Sequence, residues 1–260
     1  MHNFTFNGVS LSQFLGRIVQ APFHAVANRN VEFVKIYGQG GDEIIDNESY
    51  DNVDFSIKIS FLPLLSQRTA QELAYAIIDW LAPLQNGYYI YRDTYNPGFY
   101  TKAVLKNITD IQRELPTYLT ATLEFNRVPF WYRDDGATAV EMEPGETLEL
   151  INPELYTSEP IMSFSYTGNV TSSLNGRIVL NNIRIYTINT AAGIKRFIYD
   201  GVLKQNYGIE DTTNKKIYLT TSPPTFPVGT IELKVLPPSG SGVPFDGNFE
   251  FSVIPNWRRL

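Results

Sequence analysis

Apolar and polar residues alternate with a period of two along much of the chain. In "VDFSIKISF" the residues Val53, Phe55, Ile57, Ile59 and Phe61 share one face, and Asp54, Ser56, Lys58 and Ser60 share the other. "YLTATLEFN" repeats the pattern, with Leu119, Ala121, Leu123 and Phe125 set against Tyr118, Thr120, Thr122 and Glu124. Successive side chains of a strand point to opposite faces, so each stretch predicts a strand with one face on a core. Further strands are expected at 31–37, 88–92, 99–108, 177–181, 183–188, 195–199, 216–220, 230–235 and 248–254, separated by turn-forming residues. Short strands at this spacing suit a sandwich or a barrel.

"TAQELAYAIIDWLAP" departs from the alternation. Leu73, Ile77 and Leu81 recur at i, i+4 and i+8, the spacing of one helix face. Thr69 with Glu72 three residues on forms a capping box, and Pro83 closes the segment, so one α-helix is expected at about 69–82. Its apolar stripe is the side that packs on a sheet.

Composition supports this picture. Hydrophobic residues make up 43% and charged residues 18%, the balance of a folded chain, and the aromatic share of 13% is nearly all Tyr and Phe, which favour strands. No cysteine is present, which excludes disulfides, thiolate metal sites and a cysteine nucleophile. Neither a signal-peptide pattern nor an 18-residue apolar run occurs, so a soluble protein made in the cytoplasm is expected.

The net charge of −6 is unevenly spread. Asp134, Asp135, Glu141, Glu143, Glu146, Glu149, Glu154 and Glu159 occur with no Lys or Arg among them. The preceding residues hold 11 basic and 13 acidic groups and the following ones 10 and 6. No basic stripe of a nucleic-acid reader forms. Like charges with Gly and Pro mark a boundary or a long solvated loop. The expected organisation is an N-terminal α+β domain over 1–133, an acidic linker and start of the second domain over 134–159, and an all-β domain over 160–260.

"IYGQGGDEII" raises the question of a phosphate loop. Gly38, Gly40 and Gly41 lack the Gly-Lys-Ser/Thr ending of a P-loop, and Asp42 and Glu43 would repel an anion. The Rossmann spacing fails because Glu43 stands where a third glycine is needed. Glycines at a turn with positive φ are the better reading.

Candidate chemistry is sparse. His2 and His24 are the only histidines, so a Ser-His-Asp triad would rest on His24. G-x-S-x-G and H-E-x-x-H are absent. Asp134 and Asp135 are the obvious carboxylate pair for glycoside hydrolysis but sit in the acidic stretch, where solvation explains them better. "DNESYDNVD" lacks the glycine and terminal glutamate of a calcium loop. Catalytic, cofactor and metal sites are therefore expected to be absent. In the C-terminal half, Tyr156, Tyr166, Tyr186, Tyr199, Tyr207, Tyr218 and Trp257 could either stack on sugar rings or fill a strand core.

In order along the chain, "FTFNGVSLSQF", "NRNVEFVKIYGQGGDEIIDNESYDNVDFSIKISF", "QELAYAIIDWLA", "YRDTYNPGFYTKAVLKNI", "LTATLEFNRVPFWY", "TFPVGTIELKV" and "SVIPNWRRL" resemble the distal tail proteins (Dit) of siphophages. The likeness covers nearly the whole chain and is densest in its first 132 residues. It implies a mainly β protein whose N-terminal domain assembles into a hexameric ring and whose C-terminal domain is a β-sandwich similar to galectins and carbohydrate-binding modules. Such rings are non-enzymatic baseplate hubs at the distal tail tip of the virion. They join the tail-tube protein to a tail-associated lysin or tail fibre protein, and in some relatives they anchor receptor-binding proteins. DNA passes through the lumen without specific binding, no membrane is engaged, and six copies at −6 would carry −36. Two departures stand out: "YGQGG" replaces an expected arginine between glycines, and no long C-terminal insertion occurs, which implies the short structural form. The rival expectation is a carbohydrate-binding adhesion protein that recognises host cell-surface glycans through the C-terminal sandwich.

Overall fold

The computed structural model describes residues 2–62, 68–115, 118–143, 145–166, 175–182, 184–189, 196–210, 213–216, 218–219, 224–236 and 249–260. The chain is mainly β, with one α-helix among the described residues. It divides into two compact units, residues 1–131 with Leu260, and residues 132–259.

The first unit contains β1 (Phe4–Phe6), β2 (Val9–Ser10), β3 (Gly16–Gln20), β4 (Arg29–Lys35), β5 (Asp42–Tyr50), β6 (Val53–Phe61), α1 (Ala70–Leu81), β7 (Tyr89–Asp93), β8 (Phe99–Leu115) and β9 (Tyr118–Arg127). Its main sheet has the order β2-β1-β7-β8-β9-β6-β3, with antiparallel neighbours. The two alternating stretches are β6 and β9. Their register pairs Phe55 with Phe125, Ile57 with Leu123, Ile59 with Ala121 and Phe61 with Leu119, so both apolar rows lie on one face. Every one of these side chains is buried.

Helix α1 covers that face. Thr69 Oγ1 accepts from the Glu72 amide (3.2 Å) while the Thr69 amide donates to Glu72 Oε2 (2.7 Å), which completes the capping box. Leu73, Ile77 and Leu81 join Phe4, Phe6, Ile57, Phe61 and Phe125 in one apolar core. Each fully buried side chain of this size contributes about 1.5–3 kcal/mol. Pro83 follows in a 3-10 turn over Ala82–Gln85, so the α-helix ends at Leu81.

Two local devices shape the rim of this core. Asn7 (φ 50°) and Gly8 (φ 79°) make the two-residue turn that pairs Phe6 with Val9, as left-handed Asn-Gly turns do. Gly16 lets β3 approach β6: a Cβ there would lie 2.6 Å from the Phe61 ring and 2.7 Å from Leu11.

Strands β4 and β5 pair only with each other, antiparallel, as a separate two-stranded ribbon. The glycines of "YGQGG" lie in the connection between them. Gly38 alone of the three has positive φ (89°), and Gly40 and Gly41 do not need a left-handed conformation.

Strand β10 (Trp131–Arg133) begins on the last residue of the first unit, and the second unit contains β11 (Val140–Met142), β12 (Thr147–Asn152), β13 (Ile161–Tyr166), β14 (Asn175–Leu180), β15 (Arg184–Asn189), β16 (Arg196–Asp200), β17 (Gln205–Glu210), β18 (Thr213–Lys216), β19 (Tyr218–Leu219), β20 (Gly229–Leu236), β21 (Phe249–Ile254) and β22 (Arg258–Arg259). One sheet has the order β11-β21-β13-β16-β17-β18 and another β12-β20-β14-β15-β19. Met162, Phe164, Phe251 and Val253 from the first meet Ile178, Leu180, Ile231 and Leu233 from the second in one apolar core. The acidic stretch 134–159 supplies β11 to one sheet and β12 to the other.

Candidate functional site

The ribbon β4–β5 is the part of the first unit that its own core does not support. None of its residues from Arg29 to Tyr50 is buried, and only Val31, Asp46 and Tyr50 are partly covered. The register places Phe33 opposite Ile44 and Val31 opposite Asp46 on one face, and Val34 opposite Glu43 and Glu32 opposite Ile45 on the other. Phe33 is 63% exposed and Ile44 61%, and Tyr37 in the connecting turn is fully open. Both faces thus present aliphatic or aromatic side chains to solvent. A lone two-stranded ribbon is marginal in water, because it lacks a second layer to cover an apolar face.

Charge adds to this surface. Glu32, Asp42, Glu43, Asp46 and Glu48 face only Arg29 and Lys35 within the ribbon. Arg29 forms a two-pronged ion pair with Asp46, whose carboxyl it holds below the usual carboxylate range. Glu48 takes positive φ (50°), and its amide donates to Asp46 Oδ1 (3.0 Å) where the ladder bulges.

The root of the ribbon is held differently. Residues 21–28 lead from β3 to β4, and His24 and Ala27 turn inward while Phe23 (83%) and Val26 (67%) stay exposed. His24 Nε2 lies 2.8 Å from Asp93 Oδ2, and the ring packs against Trp131 (5.0 Å, edge-on) and Phe55 (5.2 Å). Asp93 also accepts from Tyr91 OH (3.1 Å) and from the amides of Tyr95 and Asn96 (both 2.9 Å). Burial pushes the Asp93 carboxyl up, but the hydrogen bonds and the His24 contact outweigh it and hold the group below its ordinary range.

Arg127 is 1% exposed. Its guanidinium donates to the carbonyls of Ala25 (2.8 Å), Val128 (3.0 Å) and Pro129 (2.7 Å) and lies 5.4 Å over the Trp131 ring. Burial lowers its pKa to about 10. On the outgoing side, the Asp51 amide donates to Asn28 O (2.9 Å) and the Tyr50 ring meets Phe130 edge-on at 5.4 Å.

The residues considered for chemistry scatter. His24 has its Asp, yet its Nδ1 is buried without a hydrogen-bond partner, so no hydroxyl stands where a triad needs one. His2 stacks on Tyr95 at 4.5 Å. Asp135 is held by Arg133 (2.9 and 2.6 Å), which also reaches Glu154 (3.2 Å). From "DNESYDNVD", Asp46 is committed to Arg29 and Asp54 to Lys106 (2.8 Å) and Asn126 (2.7 Å). Among the described residues no group of three or more His, Asp or Glu could hold a metal, and no helix is long and apolar enough to cross a membrane.

The C-terminal aromatics resolve in part. Tyr199 and Trp257 are buried in the second core, Tyr166 packs partly against it, and Tyr156 is half-buried. The side chains of Tyr186, Tyr207 and Tyr218 lie outside the described residues.

Sequence reasoning singled out His24 but missed Asp93, Arg127 and their grouping at the root. A signal was present: Arg127 continues the inward row Leu119, Ala121, Leu123, Phe125, and Asp93 continues Tyr89, Tyr91. A charge at an inward position of an alternating strand is a polar group that must find partners inside.

No protein-family model and no curated protein matches the chain. Solved structures do. The Dit protein of SPP1, described as a paradigm of the hub adsorption apparatus in phages infecting Gram-positive hosts, matches over 100% of both chains with a TM-score of 0.64 at 11% identity. The phage P2 baseplate in its activated conformation with calcium matches with a TM-score of 0.56 at 10% identity, covering 100% of this chain and 98% of that one. The same baseplate with strontium gives 0.55 at 11% identity, with 100% and 98% covered. The chain therefore has the fold of phage distal tail proteins along its full length.

Proposed function

We propose that this chain is a structural, non-enzymatic virion protein, the hub of a siphophage or prophage tail tip. The observation that carries the proposal is the unsupported β4–β5 ribbon, with large apolar side chains exposed on both faces, on a chain whose whole length folds like Dit. Such a ribbon requires a partner surface, and a second copy of the chain supplies one in closed cyclic assembly. In this reading residues 1–133 form a homohexameric ring. The second unit, with two sheets around one core, is a β-sandwich of the galectin or carbohydrate-binding-module kind, and residues 134–159 belong to its entry. The ring joins the tail-tube protein to a tail-associated lysin or fibre, receptor-binding proteins attach to it, and DNA passes a lumen of net negative charge.

Analytical ultracentrifugation with electron microscopy tests this. The parent chain is expected to form rings, and the double variant Phe33→Ser, Ile44→Ser is expected to sediment as a folded monomer. A parent chain that stays monomeric at high concentration, both alone and with tail-tube protein, would refute the hub.

A further inference from the structure

The root of the ribbon contains two buried charges that do not pair with each other. Asp93 is 7% exposed and takes five donors, one of them His24. Arg127 is bonded to carbonyls alone, and no carboxylate pairs with it among the described residues. Each spends a contact on the segment that leads into β4, Asp93 through His24 and Arg127 through the Ala25 carbonyl.

Apolar side chains would fill this space at lower cost, since a buried guanidinium without a carboxylate loses its hydration and regains only part of it from carbonyls. What the charged groups add is direction. The planar fork of Arg127 sets the Ala25 carbonyl relative to those of Val128 and Pro129, and charge-assisted bonds tolerate little misalignment. Phe130, next in that turn, accepts Thr101 Oγ1 at its carbonyl (2.9 Å) and presents its ring to Tyr50 at the end of β5. The incoming and outgoing strands of the ribbon are thereby gripped from one turn, 128–130. The ribbon beyond that grip has no buried residue.

We propose that His24, Asp93 and Arg127 form a positioning clamp that fixes the direction in which the ribbon leaves the first unit, so that it meets a second copy of the chain already oriented. The partner in this statement rests on the hub reading; the clamp itself rests on the geometry of one chain. Preorienting the ribbon removes an ordering cost from each contact in the assembly.

The absence of cysteine permits a direct test. Spin labels at Gly40→Cys in the connecting turn and Lys58→Cys on the polar face of β6 report the direction of the ribbon by pulsed electron resonance, with labelled chains diluted in unlabelled ones. The parent is expected to give one narrow distance peak. His24→Ala should lose it, and His24→Gln should restore it, because the glutamine amide can donate to Asp93. Arg127→Met should lose it as well; if that variant fails to fold, the alanine and glutamine pair decides the matter. A peak unchanged in His24→Ala, or a broad peak in the parent, would overturn the clamp. Because the distances lie within one chain, a chain that never assembles but loses its peak in His24→Ala leaves the clamp standing while the hub reading falls.

Discussion

Arg127 and Asp93 occupy strand positions where the alternation of their neighbours calls for apolar side chains, and the fold meets each with several hydrogen-bond partners rather than excluding it, leaving only Arg127 Nε, of the two groups' polar atoms, without one. Asp93 shows the consequence for stability. Its folded-state pKa lies below the ordinary carboxylate value of about 3.9, so its contribution is present above about pH 4 and is lost as pH falls toward the folded-state value. Asp93→Asn should cost about 2 kcal/mol at neutral pH and should flatten the loss of stability below pH 4. Urea unfolding across pH 2–7 measures both, and an acid limb as steep as the parent's would show that other carboxylates carry it.

At the scale of elements, local signals and burial decide different things. Helix α1 follows from its capping box and its i, i+4, i+8 stripe, and all three stripe residues are buried as that spacing requires. Thr69→Ala removes the acceptor for the Glu72 amide and should cost about 1 kcal/mol, visible as a lower thermal midpoint. No change there would mean that packing alone holds the first turn. Strands β6 and β9 were legible because one face of each is apolar and buried and the other is polar. The short strands β1, β2, β3, β11, β12 and β13 were not. Two or three residues, as in β1, β2 and β11, hold too little alternation to show a period; β3 has only Ile18 as a buried large side chain, and the six-residue β12 and β13 alternate over only two inward positions, Leu148 with Leu150 and Met162 with Phe164. The signal that did exist for β1 and β2 was the Asn7-Gly8 turn rather than the strands. Ribbon strand β5 was legible only as the strand that must follow the glycine turn: Asp42, Glu43, Asp46 and Glu48 blur its alternation, because no face of it is buried in the chain's own core.

For the whole molecule, two separate apolar cores are the central fact. The first gathers residues from Phe4 to Trp131 and the second from Met142 to Trp257. Each unit is large enough to bury a core unaided. Residues 132–259 expressed alone should therefore unfold in one cooperative transition, with near-ultraviolet dichroism from the packed Phe164–Phe251 pair and Trp257. A non-cooperative melt would show that the second core depends on the first unit.

The sequence by itself determined the mainly β class of fold, helix α1 and the poverty of catalytic residue types, because period, capping and residue type are properties of neighbours along the chain. It also carried the likeness to phage distal tail proteins, through the order of motifs that are weak singly. Only the tertiary structure decided that β4 and β5 pair with each other and with no other described strand, that of the three turn glycines only Gly38 takes a left-handed backbone, and that Tyr199 and Trp257 fill a core. It alone brought His24, Asp93 and Arg127 to the root of the ribbon. Those outcomes depend on which surfaces meet across tens of residues, and the burial that results is a property of the packed whole that no local pattern encodes.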